Sequence, residues 1–497
     1  MNVNLISFYN RLDEYASKYS LGTLRLASYI GQNTDITVKI IPMNSEEEIT
    51  EEDITKILKN SPEVVGIPNY MWTEKKAQKL SEGIKKRDQN ILRVIGGPST
   101  ADIDFKDWQS DEIFILGEGE EALLEVCEEK LKNPDFNAGE IDLLNANNVF
   151  SQSVDMPDKH VIYTDTNIPR GIPLFSERIE EMKDDKQKED FAWYETVRGC
   201  AYNCGYCGHK TRNNLGYIDP ENVKEEIKNI KKQGIKRLFI VDPIIGGTKQ
   251  KGKNILRMCN EEIPDTKLIV YLRPEMLDDE FVEILSECNL EEMRFGIQTL
   301  NPNVPGWVRS NSIPKIQEEL SKLHGKNINW RAELIVGLPG DDMQGLKQSV
   351  KTVINDFQPM VLAGYHLTAI KGTRLYQLVE GTEDGKWIKI DENSEVTESY
   401  SYTREEFEDM AKYSVIVTSL YNVVKQSYPT RSVNYDKLMQ FIRKHIDGNI
   451  DMDRIVQFDT QYAEDYWNRR LKEIENEKAS HGTPWRITRK PEEDYSR

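Results

Sequence analysis

Residues 197–207 read Val-Arg-Gly-Cys-Ala-Tyr-Asn-Cys-Gly-Tyr-Cys, and they place three cysteines, Cys200, Cys204 and Cys207, in a C-x3-C-x2-C pattern. A cluster of four irons and four sulfides needs a ligand on each iron. Three closely spaced thiolates would therefore leave one iron open to bind a molecule other than protein. The pattern predicts a [4Fe–4S] cluster with Cys200, Cys204 and Cys207 as its metal ligands and a reactive open iron.

The same cysteines also fit a structural zinc knuckle, in which His209 would be the fourth ligand. Structural zinc is held by four closed ligands. The iron–sulfur interpretation is favoured by the family resemblance given below, which implies a cluster loop directly after the first strand of a barrel.

Composition narrows the class of protein. The 497 residues are long enough for two or three domains with full cores. No run approaches the ~20 apolar residues of a membrane span, and the N-terminus has no basic, apolar leader, so we expect a soluble, cytoplasmic protein without membrane contact. The net charge of −19 repels a phosphate backbone, and no nucleic-acid partner is expected.

The first ~145 residues alternate short apolar runs with amphipathic stretches. This alternation predicts an α/β domain built on a doubly wound parallel sheet of Rossmann type. The predicted strands are residues 4–8, 36–41, 64–67, 92–95 and 113–116, and the predicted helices are about 20–31, 50–59, 74–87 and 120–132.

Ligands of such sheets bind at the carboxyl ends of the strands. Several glycine-containing turns fall at that edge, and glycine lets a bulky ligand approach the backbone. The candidate cofactor-binding residues there are Leu21, Gly22, Asn69, Tyr70, Gly96, Gly97, Pro98, Gly117, Glu118, Gly119 and Glu120.

Residues 146–190 are polar and charged, and we interpret them as a linker. A second alternating pattern in residues 191–375 predicts a partial (β/α)6 barrel, which gathers its catalytic groups at the carboxyl ends of its strands. Residues 376–497 predict a mainly helical domain that caps the barrel or recognises substrate. The barrel strands are expected at 193–198, 237–242, 267–272, 292–298, 331–336 and 360–367, and the C-terminal helices near 404–425, 433–446 and 461–477.

The cysteine spacing, with Tyr206 before the third cysteine, resembles the signature of the radical S-adenosylmethionine (SAM) enzymes. The order of turns in residues 1–145 resembles the cobalamin-binding domain that precedes the radical SAM domain in one large subgroup of that family. The resemblance implies three cofactors: a [4Fe–4S] cluster, SAM and cobalamin. The sequence differs from cobalamin domains of the methionine-synthase type, which present a histidine to the cobalt. No histidine precedes His160 here, so we expect the cobalt to have no histidine ligand from residues 1–145. An N-terminal domain that no longer binds cobalamin is the alternative.

The resemblance also assigns residues to SAM. Tyr206 would lie near the adenine, Asp242 near the methionine amine and Gln298 near the ribose, while Arg309 could pair with the SAM carboxylate. The turn that contains Val336 and Leu338 would lie beside the adenine. Asp242 and Gln298 could instead cap helices, and Arg309 could form a surface ion pair. Arg273 and Glu275, which follow the third barrel strand, are candidate catalytic residues in contact with substrate.

The function implied is that of a cobalamin-dependent radical SAM C-methyltransferase, acting on an unactivated carbon of a natural product or peptide through a 5′-deoxyadenosyl radical and methylcobalamin. An external electron donor such as flavodoxin or ferredoxin would be a partner. One alternative is a cobalamin-binding radical SAM enzyme that catalyses a rearrangement or cyclisation. A second is a methylthiotransferase, although such enzymes carry additional N-terminal cysteines and only Cys127 precedes the three cysteines here.

Overall fold

The structure is a computed structural model. It describes residues 1–9, 19–100, 107–108, 111–143, 149–151, 160–164, 191–209, 215–382, 384–427, 429 and 432–445. The helix predicted near 461–477 and most of the predicted linker lie outside these residues. Within the described part of the chain, every helix is too short or too polar to cross a membrane.

The N-terminal part of the chain alternates strands and helices, as the sequence predicts. The strands are β1 Asn2–Tyr9, β2 Thr37–Asn44, β3 Val64–Pro68, β4 Leu92–Gly96, β5 Glu112–Leu116, β6 Val149–Ser151 and β7 His160–Thr164. The helices are Leu21–Asn33, Glu51–Leu58, Glu74–Arg87 and Glu120–Lys132, followed by a 3-10 helix, Ala138–Leu143.

These strands form one sheet in the order β2-β1-β3-β4-β5-β7-β6. All neighbours are parallel except β6 and β7, which are antiparallel. Successive residues of β1 point to opposite faces: Leu5 joins a core with the helices Leu21–Asn33 and Glu120–Lys132, and Ile6 joins a core with the other two helices. The doubly wound fold predicted from the sequence is confirmed.

Two strands of this sheet were not predicted. β7 pairs with β5, and β6 with β7, although both lie within the range interpreted as a linker. β7 has a short apolar run, Val161 and Ile162, between polar residues. A run of this length has too little periodicity to be distinguished from a loop.

The rest of the chain begins with strands β8 Phe191–Tyr194, β9 Val197–Arg198, β10 Gly216–Tyr217 and β11 Arg237–Ile240. It continues with β12 Lys267–Leu272, β13 Leu290–Gln298, β14 Trp330–Val336, β15 Val361–His366, β16 Ile388–Ile390 and β17 Val396–Ser399. Its helices are Pro220–Lys232, Lys249–Glu262, Asp279–Glu287, Ile313–Ser321, Met343–Thr352, Arg404–Ser427 and Tyr435–His445, with a π-helical turn at Val353–Phe357 and 3-10 helices at Pro274–Met276 and Tyr376–Val379.

Side-chain caps explain where several of these helices begin. Asp219 accepts a hydrogen bond from the Glu221 backbone N–H, and Pro220 occupies the first turn, where its missing N–H costs nothing. Asp278 caps the helix Asp279–Glu287 in the same way through the Phe281 backbone N–H. These caps satisfy backbone donors that would otherwise be unpaired at the helix start.

The chain divides into two compact units. The N-terminal unit comprises residues 1–199, 212–242 and 258–267, and the C-terminal unit comprises 200–211, 243–257 and 268–497. In the N-terminal unit β8 pairs in parallel with β11, and the short β9 pairs antiparallel with β10. In the C-terminal unit β12, β13, β14 and β15 are parallel neighbours. The predicted domain boundaries at 145, 190 and 375 stay predictions.

Two predictions for the C-terminal region are confirmed and one feature is new. The helices Arg404–Ser427 and Tyr435–His445 match those expected near 404–425 and 433–446. The antiparallel pair β16 and β17 was not predicted. Its strands, Ile-Lys-Ile and Val-Thr-Glu-Ser, are only three and four residues long, so they carry a weak sequence signal.

A substitution at Phe114 would test the packing of the apolar core of the N-terminal sheet. Phe114 is fully buried on β5 and packs edge-on against Trp108, with ring centroids 5.7 Å apart. We expect Phe114→Ala to lower the free energy of unfolding by about 3–5 kcal/mol, because it removes buried apolar area and leaves a cavity. Leu131→Ala is the control, since Leu131 is 54% exposed. Urea unfolding followed by circular dichroism measures both, and equal losses would contradict this packing.

Candidate active site

The three cysteines lie on a loop that follows β9 directly. Cys204 is buried, while Cys200 and Cys207 are partly exposed. The Cys207 backbone N–H donates to the Cys204 carbonyl at 3.1 Å. Burial raises the pKa of both Cys200 and Cys207, and the nearby charge of Cys204 raises each further. The thiols are therefore close enough to interact electrostatically, as ligands of one cluster must be.

The zinc alternative requires four ligands around one ion. Within the described residues, no group of three or more His, Cys, Asp or Glu side chains is placed to hold a single metal ion. The ligands of a four-iron cluster bind different irons, so they need not converge on one point. The donor set of three thiols fits a cluster of this kind.

Gly205 fixes the cysteine loop in place. Its backbone N–H donates to the carbonyls of Trp307 and Val308 at 3.0 and 3.1 Å, and its own carbonyl accepts from the Leu375 N–H at 2.8 Å. A Cβ at this position would lie 2.7 Å from the Trp307 ring and 2.9 Å from the Trp307 carbonyl oxygen. Only glycine fits this approach of two backbones.

Two buried arginines point to Cys204. Arg309 Nη1 lies 3.3 Å from the Cys204 Sγ, and Arg273 Nη1 lies 4.0 Å from the same sulfur. The Arg273 guanidinium also lies over the Tyr202 ring, 4.0 Å from its centroid. Guanidinium groups beside a thiolate stabilise its negative charge and that of the metal centre it binds.

Glu275 and Asn311 orient these arginines. Glu275 Oε1 accepts from Arg273 Nη2 at 2.9 Å. Burial works against ionisation of Glu275, but the pairing with Arg273 outweighs it and lowers the pKa of this carboxyl group. Asn311 Oδ1 accepts from Arg309 Nε at 2.9 Å and from Arg273 Nη2 at 3.3 Å. The surface ion pair considered for Arg309 is excluded, because its side chain is buried and bonded inside the site.

Sequence analysis did not identify Asn311. Its Nδ2 donates to the carbonyls of Ile297 and Thr299, each at 2.8 Å, so the side chain spans the end of β13 and both arginines. No motif or periodic pattern in the sequence marks Asn311, because its role depends on contacts with Ile297, Thr299 and the two arginines that form only in the folded chain.

Gln298 ends β13 in the left-handed region, with φ at 68°. A residue other than glycine rarely adopts this conformation, and such strain accumulates at functional sites. Its Nε2 lies close to Gly296, whose carbonyl accepts a hydrogen bond from Arg309 Nη2. The structure therefore brings Gln298 and Arg309, both predicted to contact SAM, to the same strand end.

The other predicted SAM residues of the C-terminal unit are mostly apolar contacts. Leu338 is fully buried in an apolar cluster against which Tyr206 also packs. Val336 is buried at the end of β14, next to Gly337, whose carbonyl accepts from the Tyr402 hydroxyl at 2.6 Å. A role in holding adenine stays a prediction for these three residues.

Asp242, in the N-terminal unit, holds the backbone before the cysteine loop. Its Oδ1 accepts from the backbone N–H groups of Thr196 and Val197 at 2.7 and 3.1 Å, and its Oδ2 accepts from the Thr196 hydroxyl. Both carboxylate oxygens are thus engaged between β8 and β9. The contacts give Asp242 a structural role, and its predicted contact with the methionine amine is not tested.

The carboxyl edge of the N-terminal sheet is built around Asn69. Its backbone N–H donates to the Gly96 carbonyl at 2.6 Å, and a Cβ at Gly97, where φ is 120°, would lie 2.8 Å from the Asn69 carbonyl. The Asn69 side chain is fully buried, and its amide has no hydrogen-bond partner among the described residues. Tyr70 lies beside it and stacks on Trp72 at 5.2 Å.

The remaining predicted residues of this edge are mostly backbone turns open to solvent. Gly117 has a positive φ of 107°, and a Cβ at Gly22 would meet no atom within 4 Å. The turns provide Leu21 and Gly22 at the start of the first helix, Gly96, Gly97 and Pro98 after β4, and Gly117 and Gly119 after β5.

Glu118 and Glu120, predicted to bind a cofactor, pair with Arg198. Arg198 Nη2 lies 2.6 Å from Glu120 and 2.8 Å from Glu195, and Nη1 bonds Glu118. Arg25 joins the same cluster through Glu195 at 3.1 Å. Burial raises the pKa of Glu120, and it raises the pKa of Glu195 to about 7. We call these groups the Arg198 cluster; a direct cofactor contact of Glu118 and Glu120 stays a prediction.

Comparison with known proteins places the cysteine loop in context. Residues 194–353 match the sequence profile of the radical SAM superfamily. The chain contains a radical SAM domain. The matched range begins just before the three cysteines and ends after the helix that follows β14, so it covers the residues around Cys204 described above.

The sequence similarity to two curated proteins extends beyond this domain. The chain is 24% identical over 405 residues to 2-(S-pantetheinyl)-carbapenam-3-carboxylate methyltransferase of Streptantibioticus cattleyicolor, covering 73% of the chain and 57% of that protein. It is 26% identical over 342 residues to the cobalamin-dependent radical SAM methyltransferase TokK of Streptomyces tokunonensis, covering 64% and 47%. The chain thus spans about half the length of these relatives.

Two solved structures share the fold. The cobalamin-dependent SAM radical enzyme OxsB aligns with a TM-score of 0.65 at 14% identity, over 97% of this chain and 82% of that one. The radical SAM methyltransferase TsrM from Kitasatospora setae aligns with a TM-score of 0.57 at 15% identity, over 76% of each chain. The resemblance to cobalamin-dependent radical SAM enzymes predicted from the sequence is confirmed.

The glycines of the cysteine loop provide a matched test. We expect Gly205→Val to prevent cluster assembly, because any side chain there collides with the Trp307 backbone. Gly208→Ala should assemble normally, since its Cβ would meet its nearest neighbour, Ile370, at 3.8 Å. Iron and sulfide per chain after anaerobic reconstitution measure the effect. A full complement of iron in Gly205→Val would show that the loop is not fixed at this point.

Proposed function

We propose that the protein is a cobalamin-dependent radical SAM methyltransferase that methylates an unactivated carbon of a small-molecule or peptide substrate. The observation that carries the proposal is the set of three interacting thiols, Cys200, Cys204 and Cys207, with two buried guanidinium groups directed at Cys204. The similarity to curated methyltransferases over 73% and 64% of the chain supports the reaction class.

Cys200, Cys204 and Cys207 would hold a [4Fe–4S] cluster. When bound, the cluster and SAM supply a 5′-deoxyadenosyl radical, and cobalamin carries the methyl group. The chain's own task is to hold and orient these groups. Arg309 and Gln298, at the end of β13, would hold the carboxylate and ribose of SAM, since a planar guanidinium binds a carboxylate through two parallel hydrogen bonds.

Arg273 and Glu275 would act at the substrate side of this site. Their ion pair keeps Glu275 ionised and fixes the Arg273 guanidinium between Cys204 and Asn311. A fixed, buried pair of this kind orients a polar substrate group without reorganising during the reaction. An external electron donor, a flavodoxin or ferredoxin, would supply the electron.

The edge around Asn69 would bind cobalamin. A buried amide without a partner costs about 1–3 kcal/mol, and this cost is recovered if a ligand supplies the partner. Gly22, Gly97 and Gly117 are exposed, and at Gly22 an added Cβ would meet no atom within 4 Å, so a large planar ligand can approach the backbone of these turns. The first histidine of the chain, His160, begins β7 and pairs in register with Ile113 of β5. It therefore lies at the amino ends of the strands, and the carboxyl edge proposed for cobalamin would give the cobalt no ligand from this residue.

The variant Asn69→Leu distinguishes an effect on cobalamin binding from an effect on the stability of the fold. We expect it to reduce the cobalt retained after reconstitution with hydroxocobalamin, while the free energy of unfolding stays equal or rises, because an unpartnered amide is replaced by an apolar group. Asn4→Leu is the matched control. Its buried amide donates to the Ile57 carbonyl at 2.6 Å, so it should lose stability and keep cobalt. Unchanged cobalt in Asn69→Leu would place the pocket elsewhere.

The methyltransferase reaction and its alternatives differ in how SAM is used. After anaerobic reconstitution we expect about four irons and about one cobalt per chain. With SAM and reductant, but no substrate, a methyltransferase should form about one S-adenosylhomocysteine per cobalt. A rearranging enzyme should form none.

The variant Cys204→Ala tests the cluster assignment. It should abolish 5′-deoxyadenosine formation, and retained cleavage of SAM in this variant would exclude the assignment.

A further inference from the structure

An exposed, positively charged segment runs along the cysteine loop. At one end the Leu375 backbone N–H donates to the Gly205 carbonyl at 2.8 Å. At the other end the Ile370 side chain lies 3.8 Å from the Cβ position of Gly208. Residues 370–375 therefore contact the loop on both sides of its third cysteine, Cys207, and the side chains of Lys371 and Arg374 are exposed on this segment.

Trp307 connects this segment to the loop backbone. Its carbonyl accepts from the Gly205 N–H at 3.0 Å, and its ring would lie 2.7 Å from a Cβ on Gly205. On its other side the Arg374 guanidinium lies over the indole, 4.6 Å from the ring centroid. One aromatic ring and one cation thus separate solvent from the backbone beside Cys204. We call Trp307, Lys371 and Arg374 the Arg374 face.

The charge of this face contrasts with the rest of the chain, whose net charge is −19. Neither Lys371 nor Arg374 forms an ion pair within the part of the chain that the structure describes. Lys386 lies near Arg374 but pairs with Asp384 at 2.6 Å, so these two residues together add no net charge to the face. Exposed cations without acidic partners are available to a negatively charged protein.

We propose that the Arg374 face docks an acidic one-electron carrier of the flavodoxin or ferredoxin class. The inference rests on the proposed function, which requires an electron at the cluster. The step moves one electron: the reduced carrier is oxidised, the four-iron cluster is reduced, and no proton or group is transferred. Redox encounters use small interfaces, and opposite charges steer them, so a few cations beside the cluster loop are sufficient.

Binding of oxidised flavodoxin tests the face without turnover. Isothermal titration at low ionic strength, with both the reconstituted and the cluster-free full-length protein, should show an affinity that falls as salt is added. Arg374→Glu combined with Lys371→Glu should weaken binding about tenfold or more. Lys326→Glu is the matched control, because Lys326 is exposed and precedes β14, at the amino ends of the parallel strands.

A rate measurement complements the titration. With limiting reduced flavodoxin, the double variant should form 5′-deoxyadenosine about tenfold more slowly than the unaltered protein. With reduced methyl viologen, a small cation that added acidic groups do not repel, the two rates should agree. Arg374→Gln should fall between the unaltered protein and the double variant, because it removes one positive charge without adding a negative one.

The outcomes separate this inference from the proposed function. If the double variant binds flavodoxin and accepts its electron as the unaltered protein does, the Arg374 face is not the docking site. If the unaltered protein fails to cleave SAM even with reduced methyl viologen, the proposed function itself is wrong. A loss seen equally in Lys326→Glu would show a nonspecific effect of charge and would also overturn the assignment of this face.

Discussion

The geometry around Cys204 depends on the close approach of two backbones at Gly205. The Gly205 N–H bonds the Trp307 and Val308 carbonyls, so the residue before it, Cys204, and the residue after Val308, Arg309, are brought side by side. The 3.3 Å contact between Arg309 Nη1 and the Cys204 sulfur follows from this pairing of neighbours. Because Gly205 has no Cβ, the two backbones can approach closely enough to form the contact between Cys204 and Arg309. Glycine is therefore necessary at this position between Cys204 and Cys207.

The backbone that leads into the loop is stabilised by side chains, because β9 is only two residues long. Asp242 accepts from the N–H groups of Thr196 and Val197. Arg198 is held by carboxylates, but the Arg198 cluster contains more carboxylates than guanidinium groups. Its excess negative charge is relieved by protonation, in agreement with a pKa of about 7 for Glu195, which burial raises. The carboxylates of Glu118 and Glu120 are therefore partly committed before any cofactor binds.

Periodic features were predictable from the sequence, and contacts between distant residues were not. The strands and helices of the N-terminal sheet follow from alternating apolar residues, and the cysteine loop from its spacing. Asn311 and Trp307 have no such signal: each matters because folding brings it to Arg273 or Gly205, far away in the chain. β7 was missed for a related reason, since its two apolar residues are recognisable as a strand only beside β5.

Charge balance provides an argument for the occupant of the site that does not use the cysteine spacing. Arg273 and Arg309 are buried, and arginine stays protonated. Among the described residues, Glu275 is the carboxylate that pairs with them, and it compensates one of the two charges. Burial raises the pKa of the Cys200 and Cys207 thiols and so works against their ionisation. An uncompensated buried charge is costly. An anionic group bound beside Cys204 would compensate the second charge, and both a thiolate-bound iron–sulfur cluster and the carboxylate of SAM have that charge.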